Sequence, residues 1–158
     1  MPRRTPPQRA KRALDLPPSQ SAGYLVRDAH RAFQRVLERR IARFGVARGH
    51  WYFLRVLWIR DGVTQRELSA RVGMMEPTTV IALKSMERAG LVRRVRSRED
   101  ARRAHVWLTP LGRRLEQQLL PVARQIVREA EKGIGRRKVA VFRAVIARMT
   151  TNLDRLGD

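Results

Sequence analysis

Two helix starts and two helix stops crowd into the stretch from Thr64 to Gly90, and no other feature of the chain restricts its fold as much. Thr64-Gln65-Arg66-Glu67 has the form of a capping box, in which the threonine hydroxyl accepts from an orphan helical N–H and the glutamate reaches back to the threonine N–H. This short helix runs to about Arg71, and a turn containing Gly73 follows. Glu76-Pro77 opens the next helix, since a proline in the first turn lacks only an N–H that has no intrahelical partner there. Val80, Leu83, Met86 and Ala89 are its expected inward stripe, and Gly90 stops it. Two helices joined by a short glycine-containing turn make a helix-turn-helix, although in isolation the same pattern fits an ordinary helical corner.

The residues that follow separate these readings. Leu91–Arg96 reads as a strand, and Ala104-His105-Val106-Trp107-Leu108 alternates like a second. The segment between them, Ser97-Arg98-Glu99-Asp100-Ala101-Arg102-Arg103, makes the tip of a hairpin, and a hairpin directly after a helix-turn-helix forms a wing. Six arginines stand between Arg93 and Arg103 against Glu99 and Asp100, so the wing is cationic.

Long helices flank this module. From Ser21 to Phe44, Leu25, Val26, Ala29, Phe33, Val36, Leu37, Ile41 and Phe44 recur at helical spacing, with Arg27, Arg31, Arg35 and Arg39 as an i,i+4 row on the other side. Gly45 closes this helix. A second helix, about Arg48–Arg60, carries Trp51, Tyr52, Phe53 and Trp58 and ends at Asp61-Gly62. Beyond the wing, Thr109-Pro110 caps and starts a helix with Leu111, Leu115, Leu119, Val122, Ile126 and Ala130 on one side, and Pro121 is expected to bend it. After Gly133 and Gly135, a last helix spaces Val139, Phe142, Ile146, Met149, Leu153 and Leu156 as an a/d seam. Such long apolar faces outside a small module suit an intersubunit bundle, so a homodimer is expected.

Charge and composition narrow the function. The 158 residues hold 35 Lys+Arg against 14 Asp+Glu, a net charge of +21, and only Lys11, Lys84, Lys132 and Lys138 are lysines. That points to a polyanionic partner, and arginine favours bidentate contacts to phosphate and guanine. An arginine-biased genome accounts for part of the excess. Residues 1–19 hold five of the eight prolines and a net charge of +4, and read as a flexible basic arm, so the body is basic as well. The chain has no cysteine, which removes disulfides, thiolate nucleophiles and Cys-ligated metals. No apolar run reaches the about eighteen residues of a membrane span, and the N-terminus lacks the apolar stretch of a secretory signal. A soluble, cytoplasmic protein is expected. Scattered histidines, with no nucleophile elbow and no glycine-rich phosphate loop, give no basis for an enzyme, and no cofactor is expected.

Three strings carry a family resemblance. They are Gln65-Arg66-Glu67-Leu68-Ser69, Pro77-Thr78-Thr79-Val80, and Met86-Glu87-Arg88-Ala89-Gly90-Leu91-Val92-Arg93. With Asp100-Ala101-Arg102 and Leu108-Thr109-Pro110-Leu111-Gly112, the ordered series resembles the multiple-antibiotic-resistance regulator (MarR) family. The similarity covers about residues 20–157. It implies a mainly α, winged helix-turn-helix fold of about six helices and a two-stranded wing, with dimerisation helices at 20–45 and 109–157 and a DNA-binding module at 48–108. It also implies a homodimeric repressor or activator on a near-palindromic operator, commonly released when a small, often aromatic and anionic molecule binds where dimerisation helices meet the DNA module. The family's oxidation-sensing branch uses a reactive cysteine, which this chain lacks.

Residue by residue, Pro77, Thr78 and Thr79 open the helix that contacts base edges in such motifs. A threonine offers a hydroxyl to either edge and a methyl to thymine. Ala82 and Ser85 lie further along its outward face, and Lys84 reaches for phosphate. Gln65 and Arg66, at the start of the preceding helix, are placed for backbone contacts. Arg98, Arg102 and Arg103 on the wing suit an adjacent minor groove, with Asp100 orienting Arg102. For an effector, Tyr24, Arg27, His30, His50, Trp51 and Phe53 offer stacking and charge-assisted hydrogen bonds to an aromatic carboxylate, hydroxylated or pyridine-based. The bland alternative makes the two histidines structural and Trp51 core. A metal-responsive regulator is a further alternative, but His30, His50 and His105 show no ligand spacing. A nonspecific architectural or RNA-binding protein is the last, resting on charge alone.

Overall fold

The structure is a computed structural model and describes residues 17–96 and 104–157. The chain divides into two compact units inside its first helix, between Arg35 and Val36. Helix α1 spans Ala22–Ile41, preceded by a 3-10 turn at Pro18–Gln20. From Val36 onward the order is the end of α1, a 3-10 turn at Ala42–Phe44, α2 (Arg48–Ile59), β1 (Val63–Thr64), α3 (Gln65–Val72), α4 (Glu76–Arg88), β2 (Val92–Arg96), β3 (Ala104–Leu108), α5 (Pro110–Ala130) and α6 (Arg136–Gly157). This is the mainly helical winged fold anticipated from the sequence, with one addition. The wing is three-stranded in the order β1-β3-β2, because Val63 pairs with Val106 and Thr64 with His105. Two residues are too few to show an alternating pattern, so nothing in the sequence marks β1 as a strand.

Local chemistry sets each boundary. Thr64 accepts from the Glu67 N–H at 3.2 Å while Glu67 accepts from the Thr64 N–H at 2.8 Å, so both halves of the capping box are present. Gly73 ends α3 in the left-handed region at φ 69°, where a side chain would be strained. The Ser69 hydroxyl donates to the Met74 carbonyl and pins the turn into α4. Thr109 caps α5 by accepting from the Gly112 N–H at 3.1 Å, and α5 continues through Pro121 as one helix.

The core of this unit is drawn from every element of the module: Phe53, Leu54 and Leu57 of α2, Leu68 of α3, Leu83 and Met86 of α4, Val92, Val106 and Leu108 of the sheet, and Leu115 and Leu119 of α5. α6 differs. None of its residues is fully buried, and Phe142, Leu153 and Leu156 of its apolar seam lie exposed.

Two joints lock the sheet to the helices. Asp61 Oδ1 accepts from the N–H groups of Gly62 and Leu108, both at 2.9 Å, and Oδ2 pairs with Arg113 Nη2 at 2.6 Å. At the second joint the Leu91 carbonyl accepts from the Thr109 N–H at 3.0 Å, and a Cβ on Gly112 would lie 2.2 Å from that same oxygen. The Gly112 carbonyl in turn accepts from Trp58 Nε1 at 2.9 Å. A methyl at position 112 would overlap the Leu91 backbone and press on Leu108 Cδ2 at 3.1 Å, and the backbone cannot move aside as a side chain can. Gly112→Ala should therefore lower unfolding free energy by about 2 kcal/mol or more. Gly49→Ala, in α2 with nothing within 4 Å of the new Cβ, should gain up to about 1 kcal/mol. Urea denaturation of both variants tests the pair, and equal stabilities would contradict the close approach at Gly112.

Candidate nucleic-acid interface

The two faces of α4 differ in chemistry. Leu83 and Met86 point into the core together with Thr79, which is wholly buried with its hydroxyl unpaired, whereas Val80 is only partly covered. The inward stripe is thus Thr79-Leu83-Met86, one residue out of phase at its start from the stripe expected on hydropathy, and Ala89 is exposed. The opposite face presents Pro77, Thr78, Lys84 and Arg88, all exposed, with Ile81 at 70% exposure among them. Ala82 is half-buried against the core, and Ser85 is half-buried with its hydroxyl 3.0 Å from His50 Nε2. At the start of α3, Arg66 is exposed and Gln65 half-exposed.

The sheet is tied to α4 by one carboxylate. Glu87 Oε1 accepts from the Arg94 N–H at 3.1 Å, and Oε2 accepts from its guanidinium at 3.0 Å (Nε) and 2.7 Å (Nη2). The Arg94 guanidinium beside it holds the Glu87 carboxyl below the usual carboxylate range, and Arg94 is correspondingly raised. Bonds from the Thr64 N–H and hydroxyl likewise lower Glu67. Both acids stay ionised and are occupied internally, so neither confronts an anionic partner as a free charge. From β2, Arg93 and Arg96 remain exposed. The wing residues Arg98, Asp100, Arg102 and Arg103 lie outside the described residues.

The six residues assigned to an effector fall three in each unit. On the first half of α1, the Arg27 guanidinium lies 4.5 Å from the Tyr24 ring centroid and pairs with Asp28, and His30 contacts Gln34 at 3.3 Å. In the second unit, His50 and Trp51 are nearly buried and Phe53 wholly so. Trp51 meets Trp58 edge-on at 5.9 Å. Among the described residues no three His, Asp or Glu side chains converge as metal ligands, and no helix is long and apolar enough to cross a membrane.

Sequence reasoning missed Ile81, Arg88, the Glu87–Arg94 clamp and the His50–Ser85 bond. The spacing Thr78-Ile81-Ser85-Arg88, three, four and three residues apart, is the available signal for the outward face. Hydropathy argues against it, because it sets an isoleucine outside and a threonine inside. The clamp and the histidine bond join residues that no local pattern links.

These elements define a winged helix-turn-helix protein. A family model described as MarR family matches residues 44–103. The HTH-type transcriptional regulator TtmR of Methylorubrum extorquens (strain PA1) is 32% identical over 93 residues, 59% of this chain and 48% of that protein, so the chain matches about half the length of this curated relative. Among solved structures, the transcriptional regulator PA3341 superposes with a TM-score of 0.75 at 32% identity, covering 85% of this chain and 99% of that one. The S. aureus MepR–DNA complex superposes at 0.78 with 19% identity, over 84% and 98% of the two chains, a likeness of fold alone. The chain belongs to the MarR family.

His50 gives this region a pH dependence. Burial lowers its imidazole pKa from the ordinary value, so the folded state resists a proton that the unfolded chain accepts. This contribution is intact above the ordinary imidazole range near 6.5 and is lost as pH falls through it toward the lowered folded value. His50→Gln should flatten the decline of urea midpoint between about pH 7.5 and 5.5; parallel profiles for the two proteins would contradict a buried neutral His50.

Proposed function

We propose that the protein is a homodimeric, sequence-specific DNA-binding transcriptional regulator. The observation that carries the reading is the outward face of α4. It is a row of exposed Pro77, Thr78, Ile81, Lys84 and Arg88, left free of the core and held against an arginine-bearing sheet by the Glu87 clamp. An α-helix fits the major groove, and its first turn meets base edges in helix-turn-helix proteins. Thr78 is the hydroxyl available to bases, Lys84 and Arg88 serve phosphate, and Gln65 and Arg66 fix the register through the backbone. The inward turn of Thr79 and the half-burial of Ala82 and Ser85 give those three supporting places in this proposal. Arg98, Arg102 and Arg103 enter the adjacent minor groove. The S. aureus MepR structure, a complex with DNA, supports the same use of the shared fold.

Twofold pairing is supported by the apolar seam of α6, whose Phe142, Leu153 and Leu156 lie exposed among the described residues, and by exposed Tyr24, Leu25, Val26 and Phe33 on α1. Such large apolar side chains repeated along a helix are a usual mark of an interface. The regulator acts as a repressor, and a small aromatic anion releases it from its operator. Arg27 and His30 supply the cationic and hydrogen-bonding groups, and Tyr24 the stacking surface. The His50–Ser85 bond joins the aromatic helix α2 to the reading helix. Titration with hydroxylated aromatic or pyridine carboxylic acids should quench tryptophan fluorescence in parallel with loss of DNA binding.

Selection of bound duplexes from a random pool, followed by footprinting, tests the main reading. A discrete, near-palindromic footprint poorly competed by random duplex is expected; binding of all duplexes alike would leave only a nonspecific basic protein. On the selected duplex, Lys84→Ala should reduce the slope of log K against log salt by about one for each subunit in contact. Arg98→Ala with Arg102→Ala should lower affinity by up to about 3 kcal/mol and flatten the slope further. An unchanged slope in both variants would remove these cations from the interface.

A further inference from the structure

The placement of Ile81 assigns a specific chemistry to the reading face. Along α4 the usual order is inverted: the Thr79 hydroxyl is wholly buried, while the Ile81 side chain stands 70% exposed two residues later. A single exposed isoleucine on a protein surface is ordinary. This one lies three residues after Thr78, three before Lys84 and seven before Arg88, on a face that it shares with Pro77, one hydroxyl and two cations. A β-branched residue also does little for helix stability at an exposed position. An apolar side chain set beside Lys84 and Arg88 on one helix face fits a polyanion that carries a local apolar group. Duplex DNA has one such group on its base edges, the thymine C5-methyl in the major groove.

We propose that Ile81 is a specificity-determining residue that reads thymine by covering its C5-methyl group. This rests on the reading of α4 as a major-groove helix. No hydrogen bond is involved, so Ile81 distinguishes thymine from cytosine, and thymine from uracil, by a methyl alone. Thr78 and Lys84 on either side contribute polar and ionic contacts that are indifferent to that methyl.

Deoxyuridine makes the test direct, because it keeps every donor and acceptor of thymine and removes only the methyl. The full-length protein and Ile81→Ala are compared by fluorescence anisotropy on the selected duplex, synthesised with thymidine and again with deoxyuridine. With Ile81 so exposed, the variant should fold normally, which circular dichroism checks. The wild type should bind the deoxyuridine duplex about fourfold more weakly for each methyl covered. Ile81→Ala should bind the thymidine duplex more weakly by a similar factor and scarcely distinguish the two duplexes. An equal deoxyuridine penalty in both proteins would locate the effect in duplex shape or in another residue and overturn the proposal. The absence of any penalty in the wild type would overturn it as well. Failure of the wild type to prefer its selected duplex over random sequence would overturn the parent reading together with this one. A retained preference with no Ile81-dependent penalty would remove this one alone.

Discussion

The whole reading head hangs on the Leu91 carbonyl. It lies where the chain leaves α4 and turns into the sheet, and it accepts from the Thr109 N–H while the Cα of Gly112 passes directly beside it. Any side chain at position 112 would push α5 away from the start of β2. Because Gly112 also receives the Trp58 indole N–H, the same few atoms fix α2, the sheet and α5 relative to one another. Asp61, bonded to Gly62, Leu108 and Arg113, repeats the arrangement on the other side of β3. The orientation of α4 then follows from packing, with Leu83 and Met86 buried against a frame that has little freedom to shift.

On that frame, charge is distributed unevenly and to effect. The chain is strongly basic, and two acids of the helix-turn-helix are taken up in its own structure, while Glu76 in the first turn of α4 stays exposed. Glu67 closes the capping box, and Glu87 binds Arg94 through both its backbone and its guanidinium. Further away, Glu129 holds Arg40 and Glu131 holds Arg143. Each of these bonded carboxylates is used to position an element, and the cations left over on α4 and β2, namely Lys84, Arg88, Arg93 and Arg96, face outward. Local structure and long-range attraction for an anion are thereby served by separate sets of residues.

Most of the architecture could be read before the structure, because its signals are local. Thr64 and Glu67 make both bonds that their spacing implies, Gly73 takes the left-handed conformation that its place after a helix requires, and β3 has the boundaries its alternation marks. The harder points were those decided by packing. Counting back from Leu83 by three or by four residues gives Val80 or Thr79, and hydropathy favours the wrong one; tertiary packing puts the hydroxyl inside. β1 exists because Val63 meets Val106 across the sheet, a pairing with no local signature. The Glu87–Arg94 clamp crosses a turn, and the His50–Ser85 bond spans two helices, so neither leaves a periodic trace. The arginines expected at the wing tip lie outside the described residues, and their part in the interface rests on sequence and charge.

The central claim is that α4 enters the major groove of duplex DNA from a twofold assembly, and site-directed cleavage measures this most directly. The chain has no cysteine, so Thr78→Cys offers a single attachment point for an iron chelate on the outward face. On a selected operator, the account predicts two clusters of strand cleavage related by a dyad and spaced about one helical turn, roughly 10 base pairs, apart. Cleavage spread evenly along the duplex, or confined to one cluster without a symmetric mate, would contradict it.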